Sequence, residues 1–461
     1  MNNTILIEKI KDNRLIKILL NGHERSVNIK KNILGSFFLR GISIIISFIQ
    51  VPFTLHYLNT TKYGIWVTLG SIISWFQFFD VGLGNGLRNK FAEALAKNDK
   101  VLARNYVSTA YFIITVIGII IILLFLVINP FLDWVKILNT ERDWQNELNI
   151  LVYFVFFSFS IRFVFQLIGT ILVSDQKPAI REVMHVGSSL LTLAIIIVLT
   201  KTTEGSLLYL GICFSFVPII IYFFTSIYFY SRNYKDYLPS FKYVNMKYAR
   251  DLTSLGIKFF IIQISAVILF STNNIIITQV VGPAEVTPYN IAYKYFSTIT
   301  MIFMIIATPF WSGFTDAYFR NEIGWIKRSM KQLKKITIFF IIVTLLMLLI
   351  SSSFFKLWIG RSVTVPFILS FYSALNVIIM TWGTPYIFFI NGVGKIKLQL
   401  IIGIFFAVIN IPLCLILAKN FNMGSAGVVL ASCICNLPAL VLWPLQYKKI
   451  INNKANGIWA G

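Results

Sequence analysis

The chain is dominated by long apolar runs separated by short polar connections. An α-helix needs roughly 20 mostly apolar residues to cross a bilayer, and the 461-residue sequence holds twelve such runs. Because only 13% of the residues are charged, about half the usual share in soluble domains, a soluble enzyme is excluded. We predict an all-α polytopic membrane protein. Its predicted spans are 33–54, 64–83, 106–128, 148–173, 183–200, 207–230, 256–281, 289–314, 336–355, 367–389, 398–418 and 426–446.

The formal net charge of +23 would, in a soluble protein, indicate nucleic-acid binding. Here, however, thirty of the 41 Lys and Arg residues lie in one alternate set of connections, which includes both termini. The positive-inside rule then places both termini in the cytoplasm. Most of the net charge therefore reflects topology, and we expect a protein of the bacterial cytoplasmic membrane with no nucleic-acid partner.

The twelve predicted spans divide into two halves of six. Leu34-Gly35 opens the first half and Leu255-Gly256 opens the second, after a basic connection over 231–253. An even number of spans per half gives parallel repeats, which typically place a binding site between the halves. We predict a cytoplasmic amphipathic segment (1–32), an N-terminal six-helix lobe (33–230), a linker (231–253), a C-terminal six-helix lobe (254–446) and a cytoplasmic tail (447–461).

Four basic residues lie inside predicted spans, namely Arg40, Arg162, Lys258 and Lys294. A charge in a span costs at least about 2.5–3.5 kcal/mol and needs a partner or a wet cavity. Lys258 and Lys294 lie near predicted span ends, so their side chains could instead reach the headgroups. A surplus of cations favours an anionic substrate, and guanidinium groups suit phosphate oxygens. We therefore expect a cationic cavity.

Polar residues in the first span follow a helical period. Ser36, Arg40, Ser43, Ser47, Gln50 and Thr54 are spaced three or four apart, which puts them on one face. Such a face either packs closely against another helix or lines a cavity, and we favour the cavity because packing needs neither Arg40 nor Gln50. Asn290 and Lys294 share a similar face in span 8. The predicted substrate-binding residues are Arg40, Gln50, Arg162, Lys258, Asn290 and Lys294.

Three alternating glycines, Gly82, Gly84 and Gly86, follow Asp80 at the end of span 2. Their backbone N–H groups could hold a phosphate, but the stretch has no Walker A pattern. We predict a hinge or cytoplasmic gate here, with Asp80 paired to Arg88 or Lys90. The four cysteines show neither disulfide nor zinc spacing. We expect no catalytic residue, no metal site and no cofactor.

Several of these segments also resemble a known family. Tyr63-Gly64-Ile65-Trp66, the stretch from Phe79 to Lys90 and Val107-Ser108-Thr109-Ala110-Tyr111 look like the first three spans of bacterial polysaccharide flippases. The run from Val281 to Phe296 is similar to the same family. These proteins translocate O-antigen or capsule repeat units. They form the polysaccharide transporter family of the multidrug/oligosaccharidyl-lipid/polysaccharide exporter superfamily.

The resemblance implies a MATE-like fold of two six-helix lobes. It also implies that the chain flips an undecaprenyl-diphosphate-linked oligosaccharide to the outer leaflet by alternating access. A coupling ion (proton or sodium), membrane lipids and the polysaccharide polymerase machinery are the further partners that it implies. Arg40 and Lys294 match its basic cavity positions. Relatives often carry an acidic residue where this chain has Asn273 in Thr272-Asn273-Asn274, which weakens a coupling site there.

Two other function classes remain open from the residues. A facilitator-type or multidrug-type small-molecule exporter also has twelve spans, but the facilitator loop pattern GxxxDRxGRR does not follow Gly84. A membrane polymerase or glycosyltransferase would carry a large outer loop, whereas the longest outer connection is 129–147. Its carboxylates, such as Asp133 and Glu147, are better explained as a solvated face. We interpret the chain as a carrier and not an enzyme.

Overall fold

The computed structural model describes residues 24–76, 83–253 and 272–460, and the side chains from Gly35 onward. These residues form α-helices and a few short 3-10 turns, with no strand among them. Ten helices in the described part are long and apolar enough to cross a membrane. Of the other two expected spans, 64–83 corresponds to the 17-residue helix Thr60–Phe76, and 256–281 lies largely outside the described residues. The predicted all-α polytopic class is confirmed.

Fifteen helices are numbered here in chain order. They are α1 (Glu24–Leu58), α2 (Thr60–Phe76), α3 (Leu83–Ala96), α4 (Lys100–Ile128), α5 (Gln145–Phe165), α6 (Leu167–Ser174), α7 (Pro178–Thr202), α8 (Leu207–Ser231), α9 (Lys247–Thr253), α10 (Pro283–Phe319), α11 (Ile323–Ile359), α12 (Phe367–Gly392), α13 (Lys397–Leu415), α14 (Gly424–Asn436) and α15 (Pro438–Ile451). A further helix covers 272–280.

Short polar residues end the helices where the chain reverses. Asn59 lies between α1 and α2 in the left-handed region (φ 73°), and its side-chain oxygen accepts from Lys62 N at 3.0 Å. Asn tolerates this conformation because its side chain can bond to the local backbone. Asp99 caps α4 by accepting from Leu102 N at 2.9 Å. The long helices are therefore joined by tight turns, and neighbouring helices run antiparallel.

The helices bury two large hydrophobic cores. One core collects residues between Tyr57 and Leu252, and the other collects residues between Ile276 and Ile451 together with Val51, Leu55 and Tyr63. We call the described residues before 254 the N lobe and those after 271 the C lobe. Each lobe thus has its own core, and the C-terminal end of α1 and the start of α2 pack into the core of the C lobe.

The basic connection after α8 folds back onto the N lobe. Lys100 Nζ contacts Asp236 Oδ2 at 2.7 Å, and Arg104 Nε donates to the Leu238 carbonyl at 3.0 Å. Tyr234 donates its hydroxyl to Asp175 Oδ2 at 2.8 Å. Burial and then the charge of this carboxylate raise the pKa of Tyr234. Residues 231–253 are thus packed against the rest of the N lobe.

The two lobes touch through α2, α10 and the helix over 272–280. Thr68 and Thr278 share a hydrogen bond at 2.7 Å, and Asn274 Nδ2 donates to Ser71 Oγ at 2.7 Å. Thr287 Oγ1 donates to the Thr60 carbonyl at 2.7 Å. These polar contacts lie in the half of the spans nearest the predicted outer side.

Candidate functional site

A polar cavity of about 210 Å³ lies inside the N lobe, between α1, α5, α7 and α8. It brings together two predicted site residues, Gln50 and Arg162, which are 112 positions apart in the sequence. Gln50 is held by a hydrogen bond from its Nε2 to the Ser189 carbonyl at 2.9 Å. The cavity is lined by Gln50, Arg162, His185, Ser188, Ser189, Thr192, Phe214, Pro218 and Tyr222.

Arg162 is the one cationic side chain among the described residues that line this cavity. It is half-buried near the end of α5, and its guanidinium has no ion pair or hydrogen bond to a described residue. Pro218 in α8 has no N–H, so the Phe214 carbonyl one turn earlier has no helical donor. The cavity therefore combines polar groups with a cation that has no partner among the described residues, and a surplus cation of this kind attracts an anion.

A second cavity of about 200 Å³ meets the first at Tyr222, which lines both. It opens between α3, α6 and α7, and its basic residues are Arg88 and Arg181. The aliphatic part of Arg181 packs over Gly169, where an added Cβ would lie 3.5 Å from its Cγ. Arg88, Arg162 and Arg181 therefore surround two adjoining cavities, and no carboxylate is found among their described lining residues.

Arg40 does not belong to these cavities. Its Nε lies 3.0 Å from Glu182 Oε1 on α7, and its side chain is 53% exposed. The sequence did not indicate this partner, because the predicted span begins at residue 183 and leaves Glu182 outside. The polar face of α1 packs along α7, and Gln50 of its predicted set lines the first N-lobe cavity.

The predicted residues of the second half lie elsewhere. Lys294 is half-buried on α10 and its ammonium has no partner among the described residues, but it does not line the N-lobe cavities. Asn290 donates to Asn274 Oδ1 at 2.8 Å, so it belongs to the polar contact between the lobes. Lys258 lies outside the described residues. Among the described residues, one cavity therefore contains Gln50 and Arg162, and a site that includes the other predicted residues stays a prediction.

The glycine-rich stretch becomes a helix from Leu83 onward. Gly84 and Gly86 lie in α3, and a Cβ on Gly86 would meet the Leu252 carbonyl oxygen at 2.0 Å. Gly86 therefore permits close packing of α3 against α9. The predicted hinge or cytoplasmic gate stays a prediction, and in the described conformation these two glycines are helical. Lys90 pairs with Glu93 at 3.0 Å, while Asp80 and Gly82 lie outside the described residues.

Sequence reasoning missed two cavity residues, Arg181 and His185. Arg181 lies in the connection between two predicted spans, and His185 is a single histidine in an apolar run, so neither was among the predicted site residues. Their signal was present in the α7 sequence, where His185, Ser188, Ser189 and Thr192 recur at helical spacing. This face meets Arg162 and Tyr222 across the cavity.

Comparison with known proteins identifies the family. The family model of polysaccharide biosynthesis proteins matches residues 29–312, more than half of the chain. The chain belongs to this family. It is 23% identical over 418 residues to a Yersinia pseudotuberculosis protein that carries the name O-antigen export protein, covering 88% of this chain and 92% of the relative. It is 22% identical over 286 residues to a Salmonella typhi protein named O-antigen transporter, covering 61% and 63%.

The fold of this polysaccharide biosynthesis family member is that of MATE transporters. A solved inward-facing multidrug resistance MATE family transporter of the MOP superfamily superposes with a TM-score of 0.69 over 89% of this chain and 98% of its own, at 16% identity. The predicted MATE-like fold of two lobes and the predicted family are both confirmed. The chain is a multi-pass membrane protein of the polysaccharide biosynthesis family.

Proposed function

We propose that the chain is a flippase for an undecaprenyl-diphosphate-linked oligosaccharide repeat unit. The observation that carries the proposal is the set of three arginines, Arg88, Arg162 and Arg181, around the two adjoining N-lobe cavities. Arginine binds phosphate oxygens through paired N–H donors, and no described lining residue competes as an anion. The names of the relatives support the same class, because both refer to O-antigen transfer.

The size of the cavities supports a proposal in which different parts of the substrate bind in different places. Each holds about 200 Å³, which suits a diphosphate and not an oligosaccharide with its lipid. In the proposal the diphosphate enters past Arg88 and Arg181 and reaches Arg162. The sugars lie in the cleft between the lobes, and the prenyl chain stays in the bilayer. The protein then moves a bound lipid between leaflets and makes or breaks no covalent bond, so it acts as a carrier and not an enzyme.

The contacts between the lobes support alternating access. Thr68–Thr278, Ser71–Asn274 and Thr60–Thr287 close the lobes at the predicted outer side. In the proposed orientation, with both termini in the cytoplasm, the described conformation is therefore open inward, where lipid-linked repeat units are assembled. Transport requires these contacts to break while contacts form at the cytoplasmic side.

The test is complementation of a deletion strain that accumulates lipid-linked repeat units on the cytoplasmic side. We expect wild-type protein to restore surface polysaccharide, and Arg162→Gln to fail although its amount in the membrane is normal. Lys201→Gln serves as the control, because Lys201 lies at the far end of α7 and lines neither N-lobe cavity. Full export by a triple Arg88→Gln, Arg162→Gln, Arg181→Gln variant would refute the site assignment.

A further inference from the structure

The C lobe contains a cavity of the opposite character. It measures about 100 Å³, lies between α10, α12, α14 and the helix over 272–280, and has no charged residue among its described lining. Its polar lining includes Asn273, Tyr289, Tyr293, Ser373, Asn376 and Ser432. Neither a phosphate nor a metal cation would find a counter-charge there, so the cavity suits an uncharged polar ligand.

Two deeply buried side chains in this cavity have polar atoms without a partner. Asn273 is 5% exposed and donates from Nδ2 to the hydroxyls of Tyr289 and Ser432, both at 3.2 Å. Its Oδ1 accepts no hydrogen bond from a described residue, and the same is true of the hydroxyl of Ser373, which is 6% exposed. Buried polar groups are almost always paired. These two atoms therefore offer an acceptor and a hydroxyl to a ligand.

Aromatic rings complete the wall of the cavity. Tyr289 and Tyr293 lie with ring centroids 6.1 Å apart and an interplanar angle of 26°, and Tyr293 is 47% exposed. Aromatic rings offer a broad apolar surface, whereas amides and hydroxyls fix orientation by hydrogen bonds. A sugar combines an apolar C–H face with a rim of hydroxyls, so it matches both parts of the wall.

We propose that this cavity, which we call the C-lobe sugar pocket, binds one sugar of the transported oligosaccharide. The inference rests on the proposed flippase function and adds to it a part of the substrate that the arginines do not explain. A buried water needs roughly 10–15 Å³ of such space, so the pocket replaces several waters. That is enough for one sugar ring or its exocyclic groups. The N lobe holds the phosphates, and the C lobe distinguishes the sugar.

Ser373→Ala tests the pocket with little risk to folding. The variant deletes a buried hydroxyl that has no partner, so we expect the thermal unfolding temperature to stay level or rise. Thr381→Val is the matched control. The hydroxyl of Thr381 is also buried and unpartnered and lies on the same helix, α12, but it does not line the pocket.

Binding is measured on the full chain in lipid nanodiscs with two probes. One probe is the lipid-linked repeat unit extracted from the deletion strain, and the other is undecaprenyl diphosphate without sugar. We expect Ser373→Ala to raise the Kd for the repeat unit about five- to tenfold, the value of one hydrogen bond. The Kd for undecaprenyl diphosphate should not change. Thr381→Val should change neither, and Tyr293→Leu should weaken binding of the repeat unit alone.

The outcomes separate this inference from the proposed function. An unchanged Kd for the repeat unit in Ser373→Ala and Tyr293→Leu would overturn the sugar pocket while leaving the flippase proposal intact. An equal loss for both probes would also overturn it, because the pocket would then act on the lipid diphosphate. If wild-type protein binds neither probe, both proposals are wrong.

Discussion

Gly64, near the start of α2, lies directly against the C lobe. A Cβ added there would lie 1.8 Å from the carbonyl oxygen of Pro283 and 3.4 Å from Cβ of Val286. The obstacle is backbone at the beginning of α10, so no flexible side chain can move aside. Gly64→Ala should therefore prevent the lobes from closing at the predicted outer side.

The size of the effect follows from this geometry. An ordinary carbon contact needs about 3.4 Å or more, so α2 and α10 must separate by roughly 1.6 Å. Overpacking of this kind costs about 1–3 kcal/mol. This free-energy cost arises only in the conformation whose lobes meet at Gly64. The equilibrium between the two conformations should then shift about 5- to 150-fold away from the described one.

Disulfide formation measures this shift. Thr68 and Thr278 share a hydrogen bond of 2.7 Å across the lobes, so the pair Thr68→Cys and Thr278→Cys should oxidise readily in the described conformation. The four native cysteines are buried and stay unreactive. We expect oxidation of the pair to slow at least fivefold when Gly64→Ala is added, and repeat-unit export to fall.

Gly70→Ala is the matched control for Gly64→Ala. Gly70 lies on the same helix, and nothing lies within 4 Å of its added Cβ. Both changes raise helix propensity by about 1 kcal/mol, so a difference between them reports the contact between lobes. Equal oxidation rates in the two backgrounds would show that the lobes do not separate at Gly64, and the proposed closure would be refuted.

Three further predictions concern the arginines and the linker. Arg162→Lys should keep part of the export that Arg162→Gln loses, because it retains the charge but not the paired donors; equal export by the two variants would contradict a phosphate role. Arg40→Ala should lower stability by no more than about 1 kcal/mol, since the pair with Glu182 is half-exposed. Adding Glu182→Ala to Arg40→Ala should restore the lost stability, as measured by thermal unfolding. A larger loss of stability in the double variant would contradict the pairing. The pKa of Tyr234 is raised. The stability that its protonated hydroxyl contributes is therefore present below the ordinary tyrosine pKa of about 10 and is lost as the pH rises through the raised value. Tyr234→Phe should accordingly speed tryptic cleavage within 231–253 at pH 8, and unchanged cleavage would show that the contact with Asp175 does not hold the linker.

The fold could be predicted from sequence because the bilayer imposes a length and a composition on each span. Apolar runs near 20 residues give the spans directly, and the motifs around Tyr63 and Asn290 give the family. The limits of α7 show where this reasoning fails. The helix begins at Pro178, before its apolar run, because protein surface covers its first turns. A hydropathy boundary therefore missed Glu182, the partner of Arg40.

The candidate site could be predicted only in part, because it depends on which helices become neighbours. Arg162 and Gln50 stand out in the sequence as polar residues in apolar spans. Arg181 lies in a connection and resembles any orienting charge, and only the packing of α7 beside α6, and of α6 beside α3, brings it to the cavity that Arg88 also lines. The unpartnered atoms of Asn273 and Ser373 have no sequence signal, since any buried amide or hydroxyl is expected to find a partner.

The pairing of Arg40 changes what the charge surplus means. Arg40 is paired with Glu182, and Lys294 does not line the N-lobe cavities. The arginines that line these cavities are Arg88, Arg162 and Arg181. All three lie in the lobe against which residues 231–253 pack. The C lobe contains an uncharged pocket whose lining includes amides and hydroxyls. In the proposed function, the phosphates of the substrate use the first surface and a sugar uses the second. A purely cationic drug would be repelled by the first surface and find no counter-charge in the second.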